Sequence, residues 1–500
     1  MSRSPPMALL WLKSDAPVTR VGVISRDRVS IAASTGETEI EITGPAAGDD
    51  LLKVSYDPDG TTARGSFNNC AGGKTLWGTT LTCEENFNQY FANRNALPDS
   101  DPRKAIHTRY GLPAGSSERR WENFHDRFNI AIEPNEPFRF GWCVEIDPYN
   151  PDFVPKKRTA LGRHKKEGAT MAPAKDGRVV VYTGDDERFD YMYKFVSNGK
   201  LRPRREDDFS LLDEGTLYVA KLNDDGTGTW IPMTAGAGPL TGWSEAMVLI
   251  NTRGAADLLG ATKMDRPEDI ETNPVNGKLY CVFTNNTNRG VGTNPLSDGP
   301  NPRTRNNHGH IIELTEERND PGATSFTWEI FILCGDPSRA TPATSPDPVL
   351  ESEVTYFAGF DPSLCSPISS PDNIVFDKKG NLWIATDGQP NSNTLAKNDG
   401  FYAVPVEGPQ RGFLRQFLSV PTGAETCGPE FTPDNQTLFI AVQHPAESSG
   451  FWEYHLKPER HLARWRRSQT KRHRRHKERQ GLQSHRHIRI RCLVFATAAA

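Results

Sequence analysis

The sequence predicts an all-β protein of the β-propeller class, and three observations carry that expectation. The chain is rich in turn residues, with 42 Gly and 38 Pro, and long helix-period stretches are hard to find. Four apolar, β-branched or aromatic runs each follow a turn carrying Asn, Asp or Gly. Each run then exits into polar residues. A propeller accounts for such units as strands of radial blades whose ends gather around a channel. Two or three β-sandwiches are the competing all-β arrangement.

The four units justify themselves in order. Lys175-Asp176-Gly177 leads into Arg178–Thr183 (RVVVYT), which exits into Gly184-Asp185-Asp186-Glu187. Val275-Asn276-Gly277 leads into Lys278–Thr284, which exits into Asn285-Asn286. Lys378-Lys379-Gly380 leads into Asn381–Thr386, with Asp387-Gly388-Gln389 beyond it. Pro433-Asp434-Asn435 leads into Thr437–Val442, followed by Gln443-His444-Pro445. Asn-Gly and Asp-Gly favour the positive-φ turns that join twisted antiparallel strands, and the runs have strand composition. The spacing is irregular, so insertions are needed. Asn95–Glu118, Gly290–Asn307 and Asp336–Glu351 read as such loops.

Charge divides the chain. Its net charge of −4 averages two unlike parts: residues 1–456 carry 45 Lys/Arg against 61 Asp/Glu, and Lys457–Ala500 carry 14 against 2. The body is therefore acidic and the tail basic. A 24% charged, 9% aromatic composition fits a folded globular protein. No apolar run reaches the roughly 18 residues of a spanning helix. Met7–Leu12 is too short for a secretory signal and no twin arginine stands near Met1, so the chain as written reads as cytoplasmic. Eight cysteines with no C-x-x-C exclude a disulfide scaffold and a zinc ribbon. G-x-S-x-G, H-E-x-x-H, P-loop and G-x-G-x-x-G motifs are all absent, so the usual support for hydrolase, zincin and nucleotide-binding readings is missing.

What remains is a set of acidic and amide loops. Phe67–Asn86 (FNNCAGGKTLWGTTLTCEEN) places Cys70, Cys83, Glu84 and Glu85 within a short span. Thiolates suit Fe or Zn, and carboxylates suit Ca, Mg or Fe(III). Glu84 and Glu85 point to opposite faces if both lie in a strand. Glu167 follows a basic cluster, GRHKKE. Gly184–Arg188 (GDDER) is a post-strand acidic turn. Met264–Glu271 (MDRPEDIE) crowds carboxylates around Arg266, which could grip a phosphate; its Pro and acids equally suit a helix start. Asp372 and Asn373 with Asp387, and Glu425 with His444, offer oxygen and nitrogen donors at strand ends. Each of these also reads as ordinary turn chemistry or a solvated surface.

Taken together, the segments FNNCAGGKTLWGTTLTCEENFNQYF, VYTGDDERFDYMYKFVS, MDRPEDIE, NNHGHIIEL, SPDNIVFDKKGNLWIATDGQ and GAETCGPEFTPDNQTLFIAVQHPAE resemble, in order, the PhoX-type alkaline phosphatases, a family of bacterial secreted enzymes. The resemblance covers roughly residues 40–450. It implies a six-bladed propeller, here lacking parts of both ends, that hydrolyses phosphomonoesters with Ca²⁺ and Fe³⁺ in its channel. It implies Cys70 as the iron thiolate, with Cys83 as the fallback. Glu84, Glu85, Glu167, Glu268, Asp372 and Asn373 match metal-binding positions. Arg266 matches a phosphate-gripping arginine, and Arg266 with Glu268 would carry catalysis. Asp387, Glu425 and His444 are weaker candidates. Clustered cations would reverse the field of an acidic body for an anionic substrate. The implied partners are small phosphate esters rather than nucleic acid, with the chain acting as a monomer.

The chain also departs from the pattern. The family's twin-arginine export signal is not seen, and Lys166 stands where the family usually has His. The domain expectation is an atypical segment over 1–39, the propeller over 40–455 and a basic tail over 456–500. The tail reads as disordered, as out-of-frame coding, or as a polyanion-binding patch. Two rival functions follow: an inactive, truncated propeller, or another propeller hydrolase such as a calcium lactonase.

Overall fold

The computed structural model describes residues 9–14, 29–339, 354–391, 394–445 and 489–493. The chain is all-β, built from mostly antiparallel sheets of the propeller type, with three short α-helices among the described residues. It forms two compact units, the first of Met1–Ile270 with Thr315–Thr327, the second of Glu271–Leu314 with Trp328–Ala499. The parts of residues 1–28 that would hold an export signal lie largely outside the described residues, as do 340–353 and most of the basic tail. Among the described residues no helix is long and apolar enough to cross a membrane.

All four expected strands are present, as Arg178–Gly184, Leu279–Phe283, Leu382–Thr386 and Thr437–Gln443. Each is entered through a left-handed residue: Gly177 (φ 90°), Gly277 (73°), Gly380 (78°) and Asn435 (58°). The turn chemistry thus acts through local backbone geometry, which only Gly and Asn adopt at little cost.

In the first unit, Thr170–Pro173, Arg178–Gly184, Met192–Lys200, Gly215–Leu222 and Thr227–Pro232 pair antiparallel in sequence order. A second sheet holds Asn69–Lys74, Thr80–Glu84, Cys143–Ile146, Lys156–Arg158, Glu39–Thr43 and Thr62–Arg64. The segment entering it is anchored by Phe67, whose ring centroid lies 4.7 Å from Phe140, 5.2 Å from Tyr90 and 5.4 Å from both Trp121 and Phe128. Four offset or edge-on aromatic contacts fix the chain three residues before Cys70. The expected loop Asn95–Glu118 contains the helix Pro102–Arg109. Pro102 begins it, and Asp101 caps it by accepting from the Arg103 N–H at 2.9 Å.

In the second unit, Pro371–Phe376, Leu382–Thr386, Gly400–Val404 and Arg415–Ser419 form a four-stranded meander. Glu425–Phe431 pairs with Thr437–Gln443. Arg489–Leu493, in the tail for which no strand is expected, lies parallel to Thr437–Gln443. Gly290–Asn307 contains no strand or helix, as expected, though Asn301, Arg303 and Asn306 are buried within it.

Candidate functional site

The first unit gathers Cys70, Glu85, Glu167, Asp186, Arg266 and Glu268. Two close backbone approaches make this possible. A Cβ on Gly73 would stand 1.9 Å from the Ala169 carbonyl oxygen, so the strand carrying Cys70 lies directly on the segment carrying Glu167. The Ala169 N–H donates to the Gly72 carbonyl at 3.3 Å, which fixes that approach. A Cβ on Gly184 would lie 2.2 Å from the Glu268 carbonyl oxygen, so the end of Arg178–Gly184 abuts Pro267–Thr272. Isolated bridges Lys166↔Asp185 and Arg188↔Asp265 tie the last three of these segments together. Gly73→Ala is expected to destabilise the fold by roughly 2 kcal/mol or more, through backbone displacement that no rotamer change relieves. A denaturant midpoint close to wild type would contradict it.

Within this frame the side chains converge. The Cys70 thiol donates to Glu167 Oε1 at 3.5 Å. Carboxylate oxygens of Glu167 and Glu268 lie within 4.8 Å of each other, and both side chains are buried. Arg266 donates from Nε to Asp186 Oδ1 at 2.7 Å and from Nη2 to Asp186 Oδ2 at 2.9 Å. Its Nη2 also stands 3.2 Å from Glu268 Oε1. Arg266 takes a left-handed backbone, φ 57°, which costs on the order of 1 kcal/mol in a non-glycine residue and persists only where surroundings enforce it. Its side chain keeps 26% exposure while Asp186 and Glu268 are buried, and Cys70 and Glu85 are half-buried, so solvent reaches the group through these three residues.

The electrostatics follow from the crowding. Burial, then the carboxylates of Asp186 and Glu268, push Glu85 well above the ordinary carboxyl range. Burial would raise Asp186 as well, but the Arg266 guanidinium outweighs it and holds that carboxyl down at about 2. Four carboxylates with one guanidinium are a donor set short of positive charge, and a thiol adjoins them. Such a set fits hard cations at the carboxylates and a softer metal at the thiol. A bound cation would favour the ionised form of Glu85, which burial and its carboxylate neighbours disfavour.

The other candidates divide. Glu84 is held by a lysine and two backbone N–H groups. It ends the strand Thr80–Glu84, fully buried, and accepts from the Gly141 and Trp142 N–H groups at 3.0 and 3.2 Å and from Lys157 Nζ at 2.7 Å. Strand alternation sends it to the face opposite Glu85. Cys83 is likewise turned to Cys143, with the two sulfurs 3.6 Å apart. In the second unit, Asp372 and Asn373 are buried in Pro371–Phe376, and Asn373 Oδ1 accepts from the Gly428 N–H at 2.8 Å. Asp387 is exposed, just past Leu382–Thr386. Glu425 accepts from Gln443 Nε2 at 3.1 Å and pairs with His444 Nε2 at 3.0 Å.

One sequence reading is revised. MDRPEDIE is not a helix start, because Pro267–Thr272 is a strand. Lys166, where the family usually has His, points into backbone carbonyls. Its ammonium turns to the carbonyls of Gly162 and Gly141 and to His164 Nδ1 at 3.1 Å, and burial lowers its pKa to about 8. Asp186 is the residue that sequence reasoning left out of the site. Its motif was visible, but GDDER reads equally as a solvated turn. In the fold each acid of that motif has its own base: Asp185 with Arg253 (Nε–Oδ2 2.8 Å), Asp186 with Arg266 and Glu187 with Lys165 at 2.8 Å.

Comparison with known proteins gives a consistent result. Residues 18–446 match the family described as alkaline phosphatase PhoX. Among solved structures, the chain is similar to Pseudomonas fluorescens PhoX in complex with vanadate, a transition state analogue. Identity is 41%, the TM-score is 0.76, and the match covers 85% of this chain and 73% of that one. A Bacteroides uniformis protein assigned as a 6-phosphogluconolactonase aligns at 11% identity over 59% of this chain and 83% of its own. Its TM-score of 0.21 carries no argument. No curated protein sequence matches the chain.

Proposed function

Because the chain belongs to the PhoX alkaline phosphatase family, we propose that it hydrolyses phosphate monoesters at alkaline pH with calcium and iron as cofactors. The observation that carries this reading is the fork of Arg266, partly exposed and set among the carboxylates of Glu85, Asp186, Glu167 and Glu268 beside the Cys70 thiol.

In this reading Arg266 receives the phosphate. Its planar guanidinium matches two phosphate oxygens, and Asp186, gripping Nε and Nη2, fixes the plane in which it is presented. Cys70, Glu85, Glu167 and Glu268 are the proposed metal ligands of the first unit. Asp372 and Asn373 of the second unit are proposed as further oxygen ligands, on the strength of their donor chemistry and the family resemblance. Bound cations would stabilise the charge that grows on the phosphoryl oxygens and lower the pKa of bound water. They would also favour the ionised, ligating form of Glu85, which burial and its carboxylate neighbours disfavour.

The test is turnover of 4-nitrophenyl phosphate at alkaline pH in Ca²⁺, before and after chelation, with elemental analysis of the same folded protein. Expected are bound calcium and iron, turnover lost on chelation, and inhibition by vanadate, the analogue held by the Pseudomonas fluorescens relative. Folded, metal-loaded protein without turnover would sink the activity. Turnover without iron would restrict the claim to calcium.

A further inference from the structure

Cys83 and Cys143 occupy facing positions on the neighbouring antiparallel strands Thr80–Glu84 and Cys143–Ile146. The Glu84 N–H donates to the Trp142 carbonyl at 3.1 Å, one step beyond the pair. That bond makes the Cys83/Cys143 position a non-hydrogen-bonded one, where Cα atoms approach to about 4.5 Å and side chains stand closest. Disulfides span Cα separations of about 4.4–6.8 Å, so no strand has to move for these residues to be joined. The two sulfurs already face each other at 3.6 Å, and both residues are fully buried. The sulfur pair is therefore placed by the sheet itself.

We propose that Cys83 and Cys143 are a redox pair that closes into a cross-strand disulfide. In the closing step each thiol loses its proton and the pair loses two electrons. An oxidised low-molecular-weight disulfide, such as oxidised glutathione, accepts them and leaves as two thiols while one S–S bond forms. Burial excludes reagents from the closed strand pair, so exchange takes place as the chain folds or when the two strands part. The bond would covalently fix the residue immediately before Glu84 and Glu85 to the strand whose preceding residues, Gly141 and Trp142, hold the Glu84 carboxylate. Closure thus clamps the base of the Glu85 turn. The inference does not depend on phosphatase activity.

Cys70 is the competing partner. It lies on the other neighbour of Thr80–Glu84, in a strand whose register shifts between Asn69 and Gly72, and its thiol is directed to Glu167. The experiment refolds the full chain from denaturant in a reduced/oxidised glutathione buffer, alkylates it under denaturing conditions and maps the peptides by mass. Expected is a linked Cys83–Cys143 peptide as the main product, lighter than the two thiol peptides by two hydrogens. The melting midpoint of oxidised wild type should also exceed that of protein refolded in reductant. That shift should vanish in C143A and in C83A and persist in C365A. Recovery of Cys83 and Cys143 as alkylated thiols after oxidative refolding overturns the proposal, as does a Cys70–Cys83 linked peptide. The wild-type map decides the matter even if a variant does not fold.

Discussion

Arg266→Ala is expected to lower kcat/KM for a phosphate monoester by roughly 10²–10³-fold, the loss typical of removing one preorganised donor from developing negative charge. The metal content should not fall with it, because Arg266 donates to the carboxylates and is not itself a ligand. Arg266→Lys should recover little of the loss. A lysine keeps the charge but not the fork that meets Asp186 through two nitrogens and presents a planar face to phosphate. Vanadate inhibition should weaken in parallel with turnover. Near-normal turnover in the alanine variant would remove Arg266 from the substrate site.

The second large effect separates two adjacent glutamates. Glu84→Ala should destabilise the protein by about 3–5 kcal/mol, because it leaves the Lys157 ammonium buried without its counter-charge. Lys157 would keep only the Arg139 carbonyl at 2.8 Å and the face of Phe140, 3.9 Å from its ring centre. Burial already lowers the Lys157 pKa to about 8 even with Glu84 present. The sign follows from that. The unfolded chain binds more protons than the folded one between about pH 8 and the ordinary lysine value of 10.5, so stability from this group rises with pH there. In the alanine variant the folded-state pKa drops further and the window widens downward. The destabilisation should therefore be largest near neutral pH and shrink in alkali, which paired denaturant titrations at two pH values would read. Glu85→Ala should instead leave metal-free stability unchanged or higher, since it relieves carboxylate crowding, while reducing metal binding and turnover. Equal stability losses in the two variants would show that the division of roles is wrong.

Much of the fold was legible because it is written locally. The strands after Gly177, Gly277, Gly380 and Asn435 announce themselves by a residue suited to positive φ followed by an apolar run, and neither signal needs a tertiary partner. Alternation along Thr80–Glu84 likewise says that Glu84 and Glu85 part company at the strand end. It does not say which goes where. That depends on Lys157 and the Gly141–Trp142 amides, which are more than fifty residues away. MDRPEDIE has the local composition of a helix start, and the bridge from Asp265 to Arg188 accompanies its use as a strand instead.

For this protein, then, the residues alone determined an all-β chain of turn-entered strands, an acidic body, and the short segments in which Cys70, Glu85, Arg266 and Glu268 reside. Period, turn propensity and donor chemistry are properties of short segments. Tertiary structure alone decided that Asp186 is a buried partner of Arg266 rather than a solvated turn, that Glu84 belongs to Lys157, that Lys166 turns into a pocket of carbonyls, and that Cys83 faces Cys143. A charged side chain's role is set by which opposite charge and how much water surround it, and those surroundings come from distant segments brought together where Gly73 and Gly184 let backbones touch.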